Sequence, residues 1–273
     1  MMDKIEMKLG KKQETLLLPL WGRAVESKKD KPRLIDTKAI EIVDSLDYDF
    51  SLMSKNISWV SQLAWVARSI HVDRTIRNFI ANHPSASIVN IGCGLDTTFE
   101  RIDTGRIICY DLDLPDVIEL RKKYFREGER RKFISCSFFD TSWYHQIDTQ
   151  GGVLLIAAGV FYYFEEKQII DFFIRVADEY PGSELFFDVA SPLGVKVANK
   201  KVIQNGGIDE TAILRWGIKT AKTIESWDKR IKLIEEYPMF KGFKKGYSFK
   251  MKYGLWMSDL LEIMSMVHLK IAA

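Results

Sequence analysis

Short apolar runs alternate with helix-length segments through the middle of the chain. Each run has the length of a strand that is buried on both faces. The runs cover residues 87–91, 106–110, 133–137, 153–158 and 185–189. The clearest helical periodicity between them covers residues 115–125 and 165–180. This alternation predicts an α/β fold with a doubly wound, mostly parallel sheet that is covered by helices on both faces.

The segment before this pattern has a different rhythm. Residues 1–86 are predicted to form an N-terminal helical cap segment, because their apolar residues recur at helical rather than strand spacing. The helical stretch that includes Leu63 should end near Asn82. Residues 87–273 are predicted to form the α/β domain, and we expect the two parts to make one structural domain.

The end of the chain also departs from the strand–helix alternation. Residues 191–228 have the pattern of an amphipathic helical insert, which a pair of glycines interrupts. Two strand candidates follow at residues 230–235 and 266–271, with a helix near residues 257–264. We expect the two late strands to pair antiparallel at the edge of the sheet.

Charge, hydropathy and cysteine content exclude several classes of partner. The chain has 40 Lys and Arg against 37 Asp and Glu, so its net charge is +3 and no basic footprint for nucleic acid is expected. The longest uncharged apolar stretch, residues 151–164, is too short to span a bilayer. Residues 1–12 lack the apolar core of a signal peptide, and the three cysteines lack metal-site spacing. We expect a cytoplasmic protein without a nucleic-acid, membrane or metal partner, in an oligomeric state that stays open.

The sharpest local signal is a glycine turn between the first strand and a short helix. Gly92 and Gly94 remove side chains where a ligand would lie against the backbone. Asp113 ends the second strand, 113 − 94 = 19 residues after Gly94, a suitable separation for a carboxylate that accepts from both ribose hydroxyls. Thr97 and Glu100 have the spacing of a capping box that would begin the helix. The turn therefore predicts a nucleoside or nucleotide site.

The residue three positions after Gly94 separates two kinds of ligand. A dinucleotide fingerprint has a third glycine there, so that the helix N-terminus can meet a pyrophosphate, but this chain has Thr97. S-adenosyl-L-methionine has a ribose and no phosphate, so a Gly-x-Gly turn with a ribose acid is sufficient for it. The turn favours an S-adenosyl-L-methionine-dependent methyltransferase, and an NAD(P)-dependent oxidoreductase is the alternative enzyme.

Five motifs extend this interpretation. They lie at residues 16–24 (LLLPLWGRA), 47–50 (DYDF), 90–98 (NIGCGLDTT), 110–115 (YDLDLP) and 159–164 (GVFYYF). Together they resemble the leucine carboxyl methyltransferase family, in particular its branch related to the tetracenomycin polyketide O-methyltransferase. The resemblance implies a seven-stranded, class I methyltransferase-like sheet and transfer of a methyl group from S-adenosyl-L-methionine to oxygen.

The resemblance also implies a set of cofactor-binding residues. Arg68 matches the family's arginine for the cofactor carboxylate, and Arg23 matches a basic residue of the N-terminal segment. Phe138 should pack on adenine, and Asp140 should accept from its amino group, although Asp140 fits equally well as an N-cap. Ala158 stands where the family usually has a glutamate near the methionine moiety. The expected set is Arg68, Asn90, Gly92, Cys93, Gly94, Asp113, Leu114, Ser137, Phe138, Asp140, Ala158 and Gly159.

The acceptor side of the site is expected after the fourth strand. Tyr162 and Tyr163 lie there and are the expected catalytic residues. A carboxylate acceptor needs no general base, whereas a phenol would gain from one, and none of the four histidines lies beside a site motif. We expect O-methyl transfer to a carboxylate or phenolic hydroxyl of a small molecule or of a protein C-terminus. A methyltransferase-like protein without catalysis is the non-enzymatic alternative, which Ala158 supports.

Overall fold

The computed structural model describes residues 11–200 and 213–273, and in this part of the chain seven strands form one sheet. The strands are β1 (Ser87–Ile91), β2 (Ile108–Asp113), β3 (Arg131–Ser135), β4 (Val153–Ala157), β5 (Glu184–Ala190), β6 (Ile231–Pro238) and β7 (Met264–Ile271). Their order is β3-β2-β1-β4-β5-β7-β6. Strands β1 to β5 pair in parallel, and β7 runs antiparallel to both of its neighbours. The doubly wound, mostly parallel sheet is confirmed.

Helices cover both faces of this sheet. The helices of the described residues are α1 (Lys11–Ser27), α2 (Thr37–Ser45), α3 (Ser51–Asn56), α4 (Trp59–Asn82), α5 (Thr98–Ile102), α6 (Pro115–Arg121), α7 (Glu166–Glu179), α8 (Pro192–Ala198) and α9 (Phe249–Leu260). Val89 of β1 packs in one core cluster with Phe173 of α7, and Ile88 packs in another with Ile76 of α4. Because neighbouring strand residues point to opposite faces, β1 needs apolar side chains on both.

The N-terminal helices form a cap beside the glycine turn. Leu17 of α1 and Leu95 of the turn belong to one core cluster. Arg23 of α1 donates through Nε to Asp36 Oδ2 at 2.9 Å, and Thr97 Oγ1 donates to the same oxygen at 2.5 Å. Apolar packing and a buried ion pair therefore both fix the cap to the turn.

The predicted helical insert is helical only in part. The described elements of this region are α8, a non-helical stretch at residues 213–220 and a 3-10 turn at Ala221–Ser226. Backbone N–H groups of the non-helical stretch donate hydrogen bonds to residues outside it. Leu214 donates to Asn199 Oδ1 at 2.8 Å, and Arg215 donates to the carbonyl of Tyr162 at 2.7 Å. The paired glycines, at positions 206 and 207, lie outside the described residues.

The two late strands pair antiparallel at the sheet edge, as the sequence predicts. Strand β6 is the edge strand, and β7 lies between it and β5. The helix between them, α9, begins at Phe249 and ends at Leu260, so it lies earlier in the chain than predicted. Ser248 caps it by accepting from the N–H of Met251 at 3.4 Å.

The capping box expected at Thr97 and Glu100 does not form, and that prediction is wrong. Besides its bond to Asp36, Thr97 Oγ1 accepts from Arg101 Nη1 at 2.6 Å. Glu100 pairs instead with Arg131 at 2.5 Å. The hydroxyl serves the buried ion-pair network, because long-range charged partners compete with the local backbone for it.

Candidate functional site

The glycine turn leaves β1 through two residues in left-handed conformations. The φ angles of Gly92 and Gly94 are +63° and +46°, values that side chains disfavour. A Cβ on Gly92 would also stand 2.7 Å from Cγ2 of Val160. The N–H of Gly92 donates to the carbonyl of Leu112 on β2 at 2.8 Å. The backbone of the turn is therefore bare, and β2 holds it in place.

Asp113 is tied to this turn. Its Oδ2 accepts from the N–H of Gly94 at 2.8 Å, and its Oδ1 accepts from the N–H of Leu114 at 2.8 Å. Burial raises the pKa of Asp113, against the lowering effect of these two N–H groups. An ionised carboxylate has about four acceptor positions, so each oxygen can accept another hydrogen bond. Asp113 can therefore bind a vicinal diol beside the turn.

Arg121 of α6 supports the turn, a role that the sequence did not predict. Its buried guanidinium donates to the carbonyl of Gly94 at 2.8 Å and binds Asp111 Oδ2 through Nε and Nη2, at 3.0 and 2.8 Å. Asn90 donates to Asp111 and Asp96, at 3.3 Å each. No linear motif joins these elements, so only the folded chain reveals that they fix the turn.

A cavity lies between the cap, the glycine turn and the end of β4. The residues that line it include nine of those expected at the site: Arg68, Asn90, Gly92, Cys93, Gly94, Ala158, Gly159, Tyr162 and Tyr163. The cap contributes Leu16, Leu18 and Arg23, and Leu214 contributes from beyond β5. Leu16 Cδ2 lies 3.0 Å from the position that a Cβ on Gly94 would take. Helix α1 therefore covers the turn.

Arg68 contacts two buried groups at this cavity. Its Nη2 lies 3.0 Å from Asp188 Oδ2 and donates to the Tyr162 hydroxyl at 3.2 Å. Burial opposes the charge of Arg68, but Asp188 and Tyr162 raise its pKa, so the side chain stays cationic. Its Nε is buried and has no hydrogen-bond partner among the described residues. An anionic group in the cavity would satisfy this donor.

The residues after β4 leave room for the Arg68 guanidinium. Gly159 has a φ of +82°, and a Cβ there would stand 2.5 Å from Arg68 Nη1 and 3.1 Å from the Tyr162 hydroxyl. Ala158 presents only a methyl group to the cavity. The carboxylate of this region comes from β5, because Asp188 Oδ1 accepts from the N–H of Gly159 at 2.6 Å. Asp188 was missing from the expected set, although its position at the C-terminal end of a strand was a usable signal.

Tyr162 and Tyr163 line the cavity with their rings edge to face, 4.9 Å between centroids. Burial raises the pKa of both phenols, against the opposing effect of Arg68. Both hydroxyls are therefore neutral near pH 7, and the catalytic role expected of the two tyrosines stays a prediction. In the described part of the chain, no histidine lines the cavity; His71, for example, bonds to the carbonyl of Met239 at 2.9 Å.

Five of the expected residues are not among those that line this cavity. Asp113 and Leu114 lie beside it, at the end of β2. The other three are those expected around adenine. Ser137 Oγ accepts from the N–H of Phe139 at 3.3 Å. Phe138 is buried in an aromatic cluster, with its ring centroid 5.0 Å from that of Phe172. Asp140 is exposed and accepts from the N–H of Ser142 at 2.8 Å. In this structure Phe138 serves the core, and Asp140 has the turn-capping role that was its alternative.

The groups that line the cavity, together with Asp113 beside the glycine turn, indicate a class of ligand. Asp113 offers acceptors to a diol, the Gly92 and Gly94 backbone leaves space for a sugar, and Arg68 offers a cation to a carboxylate. Among residues 11–200 and 213–273, no three His, Cys, Asp or Glu side chains cluster as metal ligands would. The arrangement fits a molecule with a ribose at one end and a carboxylate at the other.

The sequence of this region matches a known family. Residues 17–177, more than half of the chain, match the model of the leucine carboxyl methyltransferase family. The matched range contains Arg68, the glycine turn, Asp113 and both tyrosines of the cavity.

Alignments with individual relatives cover more of the chain than the family model does. The chain is 28% identical over 228 residues to the tetracenomycin polyketide synthesis O-methyltransferase TcmP of Streptomyces glaucescens, covering 83% of this chain and 82% of that protein. It is 26% identical over 219 residues to the S-adenosyl-L-methionine-dependent methyltransferase dpfgK of Gibberella zeae, covering 72% of each. A solved DUF574 family protein from Streptomyces avermitilis has the same fold, with a TM-score of 0.59 at 11% identity, covering 96% of this chain and 100% of that chain.

Proposed function

Because the chain belongs to the leucine carboxyl methyltransferase family and is an S-adenosyl-L-methionine-dependent methyltransferase, we propose that it methylates an oxygen atom of a small organic acceptor. The acceptor oxygen belongs to a carboxylate or to a phenolic hydroxyl. The observation that carries the proposal is the cavity, where a bare glycine turn and the cation of Arg68 face apolar and aromatic side chains. Family membership argues against the oxidoreductase alternative, and the transfer assay below tests the non-catalytic one.

The described residues fit S-adenosyl-L-methionine at three points. Asp113 would accept hydrogen bonds from the ribose diol, and the bare backbone of Gly92 and Gly94 leaves space for the nucleoside. Arg68 would hold the methionine carboxylate, since its Nε is a buried donor without a partner among the described residues. A buried donor left unsatisfied costs free energy, so pairing it with a carboxylate favours binding.

Asp188 has a positioning role in this assignment. It pairs with Arg68 at 3.0 Å and is itself held by the N–H of Gly159. The guanidinium is therefore fixed in direction before a ligand arrives, which lowers the entropy cost of binding. Since residue 158 is alanine, this β5 carboxylate is the buried negative charge next to Arg68.

The cofactor supplies an electrophilic methyl group on a sulfonium, and the protein has to align an acceptor oxygen with it and exclude water. Leu16 of the cap, Trp65 of α4 and Leu214 all line the cavity. These side chains come from three separate segments, so they surround the space on several sides. An acceptor bound among them would be desolvated and held close to the methyl group.

The protonation states of the cavity wall restrict the acceptor. Tyr162 and Tyr163 are neutral, because burial raises the pKa of each phenol. Burial also acts to raise the pKa of Asp96, but Arg23 and Arg101 outweigh it and lower that pKa to about 2, so Asp96 is a weak base. An acceptor whose oxygen is already ionised, such as a carboxylate or an acidic phenol, needs no base.

The relative from S. glaucescens supports a polyketide-type acceptor, because its name assigns it to polyketide synthesis. The apolar wall is consistent with such a molecule. A protein C-terminus is the other carboxylate acceptor, and the same assay distinguishes it.

The test uses S-adenosyl-L-methionine with a tritiated methyl group. The protein is incubated with aromatic phenols, aromatic carboxylic acids or peptides with free C-termini, and each product is then treated with mild base. Methyl esters release volatile labelled methanol, whereas aryl methyl ethers keep the label. We expect label on a phenol or small acid, and none with Arg68→Met. Label on nitrogen or carbon alone, or binding of the cofactor without transfer to any oxygen acceptor, would contradict the proposal.

A further inference from the structure

Helix α9 exposes an apolar face that the core does not use. The exposed fractions of its outer side chains are 85% for Phe249, 56% for Tyr253, 48% for Trp256 and 57% for Leu260. Their spacing of four, three and four residues places all four on one side of the helix. Single exposed apolar side chains are ordinary, but a contiguous patch marks an interaction surface. We call these four residues the α9 stripe.

The opposite side of α9 is anchored to the body of the protein. Leu255 is fully buried in a core cluster. Asp259 accepts from the N–H of Phe240 at 3.1 Å and pairs with Lys244 at 2.6 Å. The helix is therefore fixed in orientation, with the α9 stripe directed away from the core.

The stripe lies in a basic segment. Residues 241–252 contain five lysines and no acidic residue. Lys250 and Lys252 are both exposed. At 3.6 residues per turn they fall on the two sides of the stripe. A helix with aromatic residues on one face and lysines along its borders has the composition of an element that lies in the headgroup region of a membrane.

Charge decides between the possible occupants of this surface. A two-fold contact between copies of the chain would bring the lysines of both copies together, which is unfavourable. Protein interfaces are in addition depleted of lysine relative to arginine. An anionic bilayer, by contrast, attracts each lysine and accepts tryptophan and tyrosine at headgroup level. We propose that the α9 stripe and its flanking lysines bind the surface of membranes that contain anionic lipid.

This proposal differs from the expectation of no membrane partner, which rested on the lack of a long apolar segment. The described helices are all too short or too polar to cross a bilayer. A helix that lies in the plane of the interface does not need such a segment. The inference rests on α9 alone and is independent of the acceptor proposed above.

The test is co-sedimentation of the whole protein with phosphatidylcholine vesicles, with and without phosphatidylglycerol. We expect partition onto the anionic vesicles to exceed that onto the neutral ones by roughly ten-fold or more, and to fall with added salt. Phe249→Ser with Trp256→Ser should abolish binding, and Lys250→Gln with Lys252→Gln should remove the preference for anionic lipid. Circular dichroism verifies that each variant is folded.

Matched controls come from exposed residues elsewhere. Ile35→Ser with Ile234→Ser removes two exposed apolar side chains, and Lys219→Gln with Lys229→Gln removes two exposed charges. Both control pairs should bind like the unmodified protein. Equal partition onto the two kinds of vesicle, or equal losses in control and stripe variants, would overturn the proposal. So would a dimer in light scattering that the stripe variant dissociates, without vesicle binding.

Discussion

Arg68 on α4 and Asp188 on β5 form an ion pair inside the protein, with 3.0 Å between Nη2 and Oδ2. Both side chains are buried, and the N–H of Gly159 donates to the other oxygen of Asp188 at 2.6 Å. Loss of one partner of such a pair leaves an uncompensated buried charge. We propose that Arg68 holds the methionine carboxylate and that Asp188 positions Arg68.

A double-mutant cycle on this pair should affect protein stability and ligand binding in different ways. Arg68→Met and Asp188→Leu should each lower the free energy of unfolding by about 3 kcal/mol, because each leaves the other charge buried. The double variant should cost less than the two single variants together, since no charge remains. Binding of S-adenosylhomocysteine should be lost whenever Arg68 is absent. Urea denaturation and isothermal titration measure the two quantities.

Adenosine is the control ligand for this cycle, because it lacks the carboxylate. Its affinity for the Arg68→Met variant should stay close to that for the unmodified protein. Strict additivity of the unfolding costs, or unchanged S-adenosylhomocysteine binding by the double variant, would contradict the assigned roles.

The space beside Gly159 leads to a prediction about ligand binding. A comparison with Gly182 separates the steric effect of a Cβ from the backbone strain that both positions share. Gly159 and Gly182 have φ angles of +82° and +85°, so alanine costs about 1 kcal/mol or more of backbone strain at either position. Nothing lies within 4 Å of a Cβ on Gly182, whereas a Cβ on Gly159 would meet Arg68 Nη1 at 2.5 Å. Gly159→Ala should therefore weaken S-adenosylhomocysteine binding, and Gly182→Ala should lower only the melting temperature. Equal binding by both variants would show that Arg68 is not displaced.

If Asp113 binds the ribose, its substitution should weaken the binding of adenosine as well as that of S-adenosylhomocysteine. Asp113→Asn keeps the volume of the side chain but loses the charge that strengthens its hydrogen bonds to a diol. The affinities for both S-adenosylhomocysteine and adenosine should fall by roughly ten- to a hundred-fold, as expected for hydrogen bonds to a charged group. Glu119→Gln, at an exposed acid of α6, should change neither. A loss confined to S-adenosylhomocysteine would place the ribose elsewhere.

The strands were predictable because burial on both faces leaves a pattern in a short stretch of the sequence. Strands β1, β4 and β5 are buried on both faces, so each appears in the sequence as a nearly unbroken apolar run. The glycine turn and Asp113 were predictable for a related reason, since each directly follows a strand. Parallel strands bring their carboxyl ends to the same edge of a sheet, so sequence position alone places these residues together.

The long-range polar contacts were not predictable. Asp188 pairs with Arg68 although the two lie 188 − 68 = 120 positions apart in the chain. Thr97 bonds to Asp36 instead of capping its own helix. Such pairs depend on which elements pack together, and no local periodicity encodes them. The insert was over-assigned to helix for the same reason, because Asn199 and Tyr162 satisfy its backbone from outside.

Burial of His71 should make the free energy of unfolding depend on pH. Burial lowers its pKa from 6.5 to about 4, with smaller effects of Arg74 and Lys241 in the same direction. The unfolded chain therefore binds a proton as pH falls through 6.5, and the folded chain does so only near pH 4. Stability should fall by about 3 kcal/mol across this window. Denaturation of His71→Gln should lack this loss, whereas the exposed control His145→Gln should retain it.

The central claim is that the cavity beside the glycine turn is the donor site of the reaction. A crystal structure of the complex with S-adenosylhomocysteine tests it most directly. We expect the ribose hydroxyls on Asp113, the sugar against the backbone of Gly92 and Gly94, and the methionine carboxylate on Arg68. Density for the ligand in another place, or a bound carboxylate that does not contact Arg68, would contradict it.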